Sequence, residues 1–386
     1  MKKVLFLASV SSVIDQFNRD NIQILQNYGL EVHVACNFET GNTSSKERIL
    51  KFKQELKDKK IQFHQIDFDR NTFSGIFSNI KAFYQLQRLV NNINFEFIHS
   101  HILIAGVYSR LIGHFKKIKT IYTAHGFYFY DGAPLINWLI YYPIEKILSK
   151  YTDCLITINE EDFNIAAKKF EAKKLKLING IGIDLRKFTP QNQVNKMILR
   201  KQNNYAENDF ILIYVAELTK RKHQDFLIEV TSILKDKIPK LKVLLVGIGN
   251  LEKQYKEQVK NFALENNVQF LGFRNDIANL MKIADVAVSA SKLEGLPVNV
   301  MEAMATGLPI VVANCRGNRD LIKDGENGYV VDLDDKKCFS QMINNLYIDK
   351  SLRTKFSEKN LNMIKRYDRE NIMKEMESIY KELLNI

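Results

Sequence analysis

Glu294 and Glu302 stand eight positions apart in SKLEGLPVNVMEAMATGLPIV (291–311), a run otherwise dominated by Gly, Pro, Val, Met and Ala. An ionised carboxylate only accepts hydrogen bonds, and its two oxygens match a vicinal diol, so such a pair suits sugar or ribose hydroxyls. The same groups could also simply sit near a helix N-terminus, where the dipole favours negative charge. Pro297 fits a first helical turn, which needs no N–H from it, and Gly307 with Pro309 is a stop signal. With 286–291 reading as a buried strand, the stretch runs strand, loop, helix, turn, strand. Glu294 then occupies the loop at a strand's carboxyl end and Glu302 the first turns of the next helix, so that both face the crevice where open α/β sheets bind ligands.

The elements that must position this pair alternate along the whole chain. Short β-branched and aromatic runs at 4–9, 31–36, 95–100, 120–125 and 154–159 are separated by helical periodicity, the pattern of a parallel sheet with crossover helices. The rhythm restarts at 210–217, 242–247, 268–272, 286–291 and 310–314, after a polar, strand-free linker at 189–209. The expected architecture is α/β with two doubly wound, Rossmann-like domains and a cleft between them: 1–190, 191–368, and a terminal helix 369–386 able to cross back to the first domain. Its apolar residues Ile372, Met376, Ile379 and Leu383 need something to pack on.

Composition narrows the function classes. The 386 residues suffice for two ordinary cores. The four cysteines have no paired spacing for zinc or disulfides, which fits a reducing cytoplasm. The opening MKKVLFLASV reads as a first strand rather than a signal peptide, because Asp15, Asn18, Arg19 and Asp20 follow it. No apolar run is long enough to cross a bilayer. Residues 1–190 hold 26 Lys and Arg against 18 Asp and Glu, part of a formal net charge of +12. Nucleic acid is the weakest partner for that charge, since no recognition motif accompanies it and KKFEAKKLK (168–176) reads as solvated helix ends.

EGLPVNVMEAMATGLPIV, VAELTKRKHQDFLI (215–228), FLGFRNDI (270–277) and GNRDLIKDGENGYVV (317–331) together resemble the family 4 retaining glycosyltransferases of the GT-B fold. IHSHILIAGVYSRL (98–111), the long segment YTAHGF to INEED (122–162) and NGIGID (179–184) resemble the bacterial exopolysaccharide and capsule branch of that family. The resemblance implies a UDP-sugar donor and a lipid-linked glycan acceptor. It assigns Glu302 to the ribose, Glu294 to the transferred sugar, and Lys222 to the diphosphate, where positive charge would stabilise the leaving group. Gly295, Pro297 and the backbone N–H groups of Leu296, Val298 and Asn299 complete the donor loop. Many members carry an arginine where Glu217 stands, which leaves Arg221 or Arg274 as candidates for a second cation. His125, ending a strand before Gly126, is placed near the transferred sugar, while His101 and Ser11, in the loop ASVSSVID, fall on the acceptor side. His99 and His101 could equally support the helix start that follows them. No cofactor and no metal are implied.

Two patterns read as structural. Asp67 and Asp69 have a metal-ligand spacing but end a strand in the wrong domain for the donor, and GIGN (247–250) lacks the third glycine of a dinucleotide fingerprint. A glycosidase using Glu294 and Glu302 is disfavoured, because its carboxylates need a set separation across the scissile bond. A catalytically silent nucleotide-sugar-binding partner of a polysaccharide-synthesis complex is the remaining alternative. The helix of APLINWLIYYPIEKILSKY (133–151), with Trp138, Tyr141, Tyr142 and its lysines, is expected either at an anionic membrane surface or packed within its domain.

Overall fold

The structure, a computed structural model, describes residues 1–69, 76–190 and 192–385, with only the backbone at 76–78. It divides into unit 1, comprising 1–181 and 370–386, and unit 2, comprising 182–369. Residues 182–190 belong to unit 2 because Ile183 exchanges backbone hydrogen bonds with Tyr367 and Arg369, at 2.8 and 3.0 Å.

Unit 1 is built on β1 (Lys3–Val10), β2 (Glu31–Asn37), β3 (Gln62–Gln65), β4 (Phe95–His101), β5 (Lys119–Ala124), β6 (Cys154–Thr157) and β7 (Leu175–Leu177). All pair in parallel, in the order β3-β2-β1-β4-β5-β6-β7. Strands buried on both faces read as continuous apolar runs, as VLFLASV does. Leu5, Leu7, Ile98 and Ile112 form one core with Leu86 and Phe95, and Tyr122, Phe127, Phe129 and Leu155 form another. No loop follows β1, since the helix Ser11–Phe17 begins at once. KKFEAKKLK is only partly a helix end: Lys168 and Lys169 close the helix Glu160–Lys169, and Leu175 opens the edge strand β7.

The second core is aromatic, and it decides how the helix Leu135–Ser149 faces. Trp138, Tyr141 and Tyr142 turn inward onto it. Trp138 lies 5.4 Å from the ring of Phe129 and donates its N–H to Tyr130 O at 3.3 Å, and Tyr142 meets Phe129 edge-on at 5.5 Å. The aromatic side chains therefore belong to the interior of unit 1 and do not form the outward face. The terminal helix Arg369–Leu384 also packs in unit 1, where Tyr380 is fully buried and Leu383 O accepts from Lys119 Nζ at 2.8 Å.

Unit 2 holds β8 (Phe210–Val215), β9 (Leu241–Val246), β10 (Val268–Gly272), β11 (Val286–Ser289), β12 (Ile310–Ala313) and β13 (Tyr329–Val331). The order is β10-β9-β8-β11-β12-β13, again parallel throughout. GIGN connects β9 to a helix by passing close to the loop after β8. A Cβ on Gly247 would lie 2.1 Å from Ala216 O, and one on Gly249 would lie 2.2 Å from Leu218 O. These glycines therefore allow a backbone approach that no other residue permits.

Candidate active site

In unit 2 the strand order reverses between β8 and β11, so the loops leaving the carboxyl ends of these two neighbours open side by side. That topology, and not closeness in sequence, brings Lys222 to Glu294. Their side chains form an ion pair at 13% and 8% exposure. Arg221 Nη1 lies 3.5 Å from the other carboxylate oxygen and donates to Leu293 O at 2.9 Å. Lys292 N–H donates to Arg221 O at 2.9 Å, and the buried hydroxyl of Tyr214 donates to Lys222 O at 2.8 Å, so each loop is tied to its surroundings by its backbone. Two cations thus face the nearly buried Glu294 carboxyl group, one at each oxygen.

Arg316 supports this loop, and nothing in the sequence around it signals that role. Nearly buried, it donates Nε to Glu294 O at 3.1 Å. The next residue, Gly317, lets the helix Arg316–Leu321 touch the loop, because a Cβ there would fall 2.4 Å from Gly295 O. Pro297 is the N-cap of the helix Val298–Ala305 rather than its first residue, and no side chain caps that end. The N–H groups of Leu296, Val298 and Asn299 have no protein acceptor among the described residues, leaving donors for an anion beside Lys222.

Glu302 is not part of the ion cluster. No protein hydrogen bond reaches its carboxyl among the described residues. Burial pushes its pKa up to about 7, and the charge of Lys187 pulls the other way. Lys187, from the segment after NGIGID, is another residue whose placement the sequence hides. Arg274 is bound to Asp276 at 2.7 and 2.5 Å. Of the two candidate second cations, Arg221 is the one beside Glu294.

Unit 1 has its own reversal, between β1 and β4, and here three histidines gather. His99 is hydrogen-bonded through Nδ1 to the Tyr380 hydroxyl and through Nε2 to Thr123 Oγ1, both at 2.8 Å. His101 Nδ1 meets His125 Nε2 at 3.1 Å, while its own Nε2 is buried with no protein partner. Desolvation lowers all three, His99 to about 3, His125 to about 4 and His101 well below the usual value, so the rings are neutral. His101 and His125 line a pocket with Thr123, Asn18, Ile181 and Met376. Ile102, directly after His101, takes φ 70° and ψ 150°, a region almost confined to glycine, so backbone strain marks this edge of the pocket.

Ser11 is placed differently. It is buried, donates to Asn42 Oδ1 at 2.8 Å and does not line the histidine pocket. Asp67 is bound by Lys81 at 2.6 Å and by the amides of Gln65 and Gln85 at 2.8 and 3.0 Å. Among the described residues no group of three His, Cys, Asp or Glu is arranged to hold a metal.

Residues 3–159 match the family described as Glycosyl transferase 4-like, and residues 195–363 the family described as Glycosyl transferases group 1. Bacillus subtilis "Putative glycosyltransferase EpsD" is 36% identical, the alignment covering 100% of this chain and 98% of that protein. The Escherichia coli UDP-Gal:alpha-D-GlcNAc-diphosphoundecaprenol alpha-1,3-galactosyltransferase is 28% identical over 72% of this chain and 73% of its own. The Campylobacter jejuni N,N'-diacetylbacillosaminyl-diphospho-undecaprenol alpha-1,3-N-acetylgalactosaminyltransferase is 27% identical over 83% and 86%. Among solved structures, sucrose-phosphate synthase of Thermosynechococcus elongatus superposes with a TM-score of 0.78 at 16% identity, and Anabaena HepE in complex with UDP and glucose with 0.75 at 20%. Each covers 100% of both chains. Two parallel-sheet Rossmann-like domains of this kind define a glycosyltransferase of the GT-B class. The chain belongs to glycosyltransferase family 4.

Proposed function

We propose that the protein transfers a sugar from a UDP-linked donor, with retention at the anomeric carbon, to a lipid-diphosphate-linked glycan in exopolysaccharide or capsule synthesis. The observation that carries this reading is the Lys222–Glu294 pair, backed by Arg221, where the strand order of unit 2 reverses. Lys222 and the free N–H groups of Val298 and Asn299 take the diphosphate. As the bond to the anomeric carbon breaks, charge grows on the leaving phosphate oxygen, and Lys222 offsets it without reorganisation of the site. Glu294, freed in part from Lys222 by the phosphate, accepts hydroxyls of the departing sugar, and Glu302 accepts those of the ribose. His125 serves the transferred sugar and His101 the acceptor side. The lipid-linked acceptor is supported by the Escherichia coli relative, and UDP by that relative and the Anabaena neighbour.

Positive charge from Lys222 and Arg221 also lessens the case for a silent nucleotide-sugar-binding partner, a reading that drew on the arginine missing at position 217. Turnover with pooled nucleotide sugars and lipid-linked acceptors tests the proposal, with the product's anomeric configuration read by NMR. Tight UDP binding without any transfer would favour the silent partner, and an inverted product would reject retention. Because the protein supplies the cations, turnover should persist in EDTA; its loss and rescue by a divalent ion would reject that part.

A further inference from the structure

A neutral imidazole carries one proton on two nitrogens, so a contact between two such rings couples their tautomers. His101 Nδ1 and His125 Nε2 are 3.1 Å apart, and desolvation keeps both rings neutral, so a single proton lies in that contact. If it belongs to His101, each ring holds its proton on Nδ1; if it belongs to His125, each holds it on Nε2. The surroundings decide between the two. His101 Nε2 is buried with no protein partner among the described residues, and a buried N–H without an acceptor is rarer in proteins than an acceptor short of a donor. The proton of His101 therefore sits on Nδ1, and His125 Nε2 accepts from it. His99 exerts no such choice, because its two nitrogens meet the hydroxyls of Tyr380 and Thr123, which donate or accept as required.

The ring of His101 is clamped in this arrangement. Phe6 stacks nearly parallel to it, at 6.1 Å and 9°, and the ring of His99 lies 4.3 Å away. Ile102 holds φ 70° directly after it, a strained conformation that persists only where the surroundings over-determine it. His125, by contrast, is half-buried on the pocket that both rings line, and its Nδ1 takes no protein partner among the described residues.

We propose that His101 is a positioning residue: by donating to His125 Nε2 it fixes the proton of His125 on Nδ1 and makes that nitrogen the hydrogen-bond donor offered to substrate. The group so recognised is an oxygen with an available lone pair, such as a hydroxyl or ether oxygen of the transferred sugar, and not a ligand N–H. The inference rests on the assignment of His125 to that sugar made above. It gives His101 a task that needs no contact with the acceptor.

Imidazole nitrogen NMR of the full chain, isotopically labelled at histidine, tests this, with His101→Asn, His101→Leu and His125→Ala assigning the two rings. At neutral pH both rings of the wild type are expected in the Nδ1–H form. An asparagine amide can stand in for the Nδ1 donor, so His101→Asn should keep His125 in that form with kcat within about threefold of wild type, whereas His101→Leu should admit the Nε2–H form and lower kcat about tenfold. UDP affinity, read by calorimetry, should hold in both, because the groups proposed to bind UDP all lie in unit 2. Packing alone predicts the reverse order, since leucine fills an apolar site better than asparagine. Wild-type His125 protonated on Nε2 would overturn the inference, and so would equal turnover of the two His101 variants. If circular dichroism shows that His101→Leu does not fold, the wild-type spectrum and the asparagine variant still decide. Wild-type turnover in His125→Ala would reject the assignment of His125 to the sugar, while the spectra still decide whether His101 sets its tautomer.

Discussion

Replacing Lys222 by Met leaves the Glu294 carboxylate at 8% exposure, with Arg221 3.5 Å away still facing it. Removing one partner of a buried pair costs about 3 to 5 kcal/mol. Arg221 and partial solvent access reduce that here to about 2 to 3 kcal/mol. For a domain the size of unit 2 this corresponds to a fall of about 5 to 10 °C in its unfolding midpoint. Glu294→Gln should lower the midpoint by less, since an amide leaves only the ammonium unpaired, and a lysine can reach water. The double substitution removes both charges, so its stability should return to within about 1 kcal/mol of wild type. Turnover should not return. Loss of charge stabilisation on the leaving diphosphate is worth about 10²- to 10³-fold in kcat, and neither Met nor Gln replaces it. Calorimetric unfolding and single-turnover transfer are measured on all four proteins. If activity recovers together with stability in the double variant, Lys222 acts only by holding the loop, and its role on the diphosphate is refuted.

Glu302, with its pKa raised to about 7, should make UDP affinity rise with pH up to about 7 and then level off, because only the carboxylate accepts from both ribose hydroxyls. Glu302→Gln should flatten that profile in titration calorimetry. The same shift predicts that Glu302 favours folding at low pH, and that this contribution is lost between about 4.5 and 7, where the native state still holds the proton. The histidines act in the opposite sense. With His99 at about 3 and His125 at about 4 in the folded chain, unit 1 should lose stability as pH falls below about 6.5, by up to about 1.4 kcal/mol per unit for each ring; a flat unfolding midpoint from pH 7 to 5 would contradict their burial as neutral groups. Gly317→Ala should displace the Glu294 loop, since its Cβ would sit 2.4 Å from Gly295 O. A loss of about 1 to 3 kcal/mol and a clear fall in kcat are expected, and wild-type values for both would show that the loop yields freely.

The central strands were legible because burial on both faces leaves unbroken apolar runs, as in FILIYV and VLFLASV. Of the edge strands only β10, read at 268–272, was legible; β3, β7 and β13 were not. QFHQ of β3 and LKL of β7 are partly exposed and carry polar residues, so neither periodicity nor composition separates them from loop. In the candidate site of unit 2, Glu294 and Lys222 were marked by residue type and local motif. Arg316 and Lys187 act on Glu294 and Glu302 from elements that only the fold brings near, and a positive residue in a lysine-rich chain carries no signal of its own. The helix at 135–149 shows a further limit. Its composition announced an amphipathic segment, but whether aromatics or aliphatics turn inward depends on Phe127 and Phe129, whose flat rings leave a surface that other rings fill.

The return of the last helix to unit 1 sets an order of events on the ribosome. His99 waits for Tyr380, Lys119 for Leu383, and Lys174 for Glu382, its ion-pair partner at 2.8 Å. All of unit 2 lies between these partners in the chain. At about 5 to 20 residues per second, roughly 14 to 56 s of synthesis separates the emergence of the β4 histidine from that of the hydroxyl that satisfies it, 281 residues later. During that interval the nascent N-terminal unit exposes the groove that Ile372, Met376 and Ile379 will fill. Unit 2, by contrast, needs only its own contiguous residues. The second domain to be made is therefore the first able to finish folding, and a chain cut short by even its last helix leaves the first domain open to chaperones and proteases.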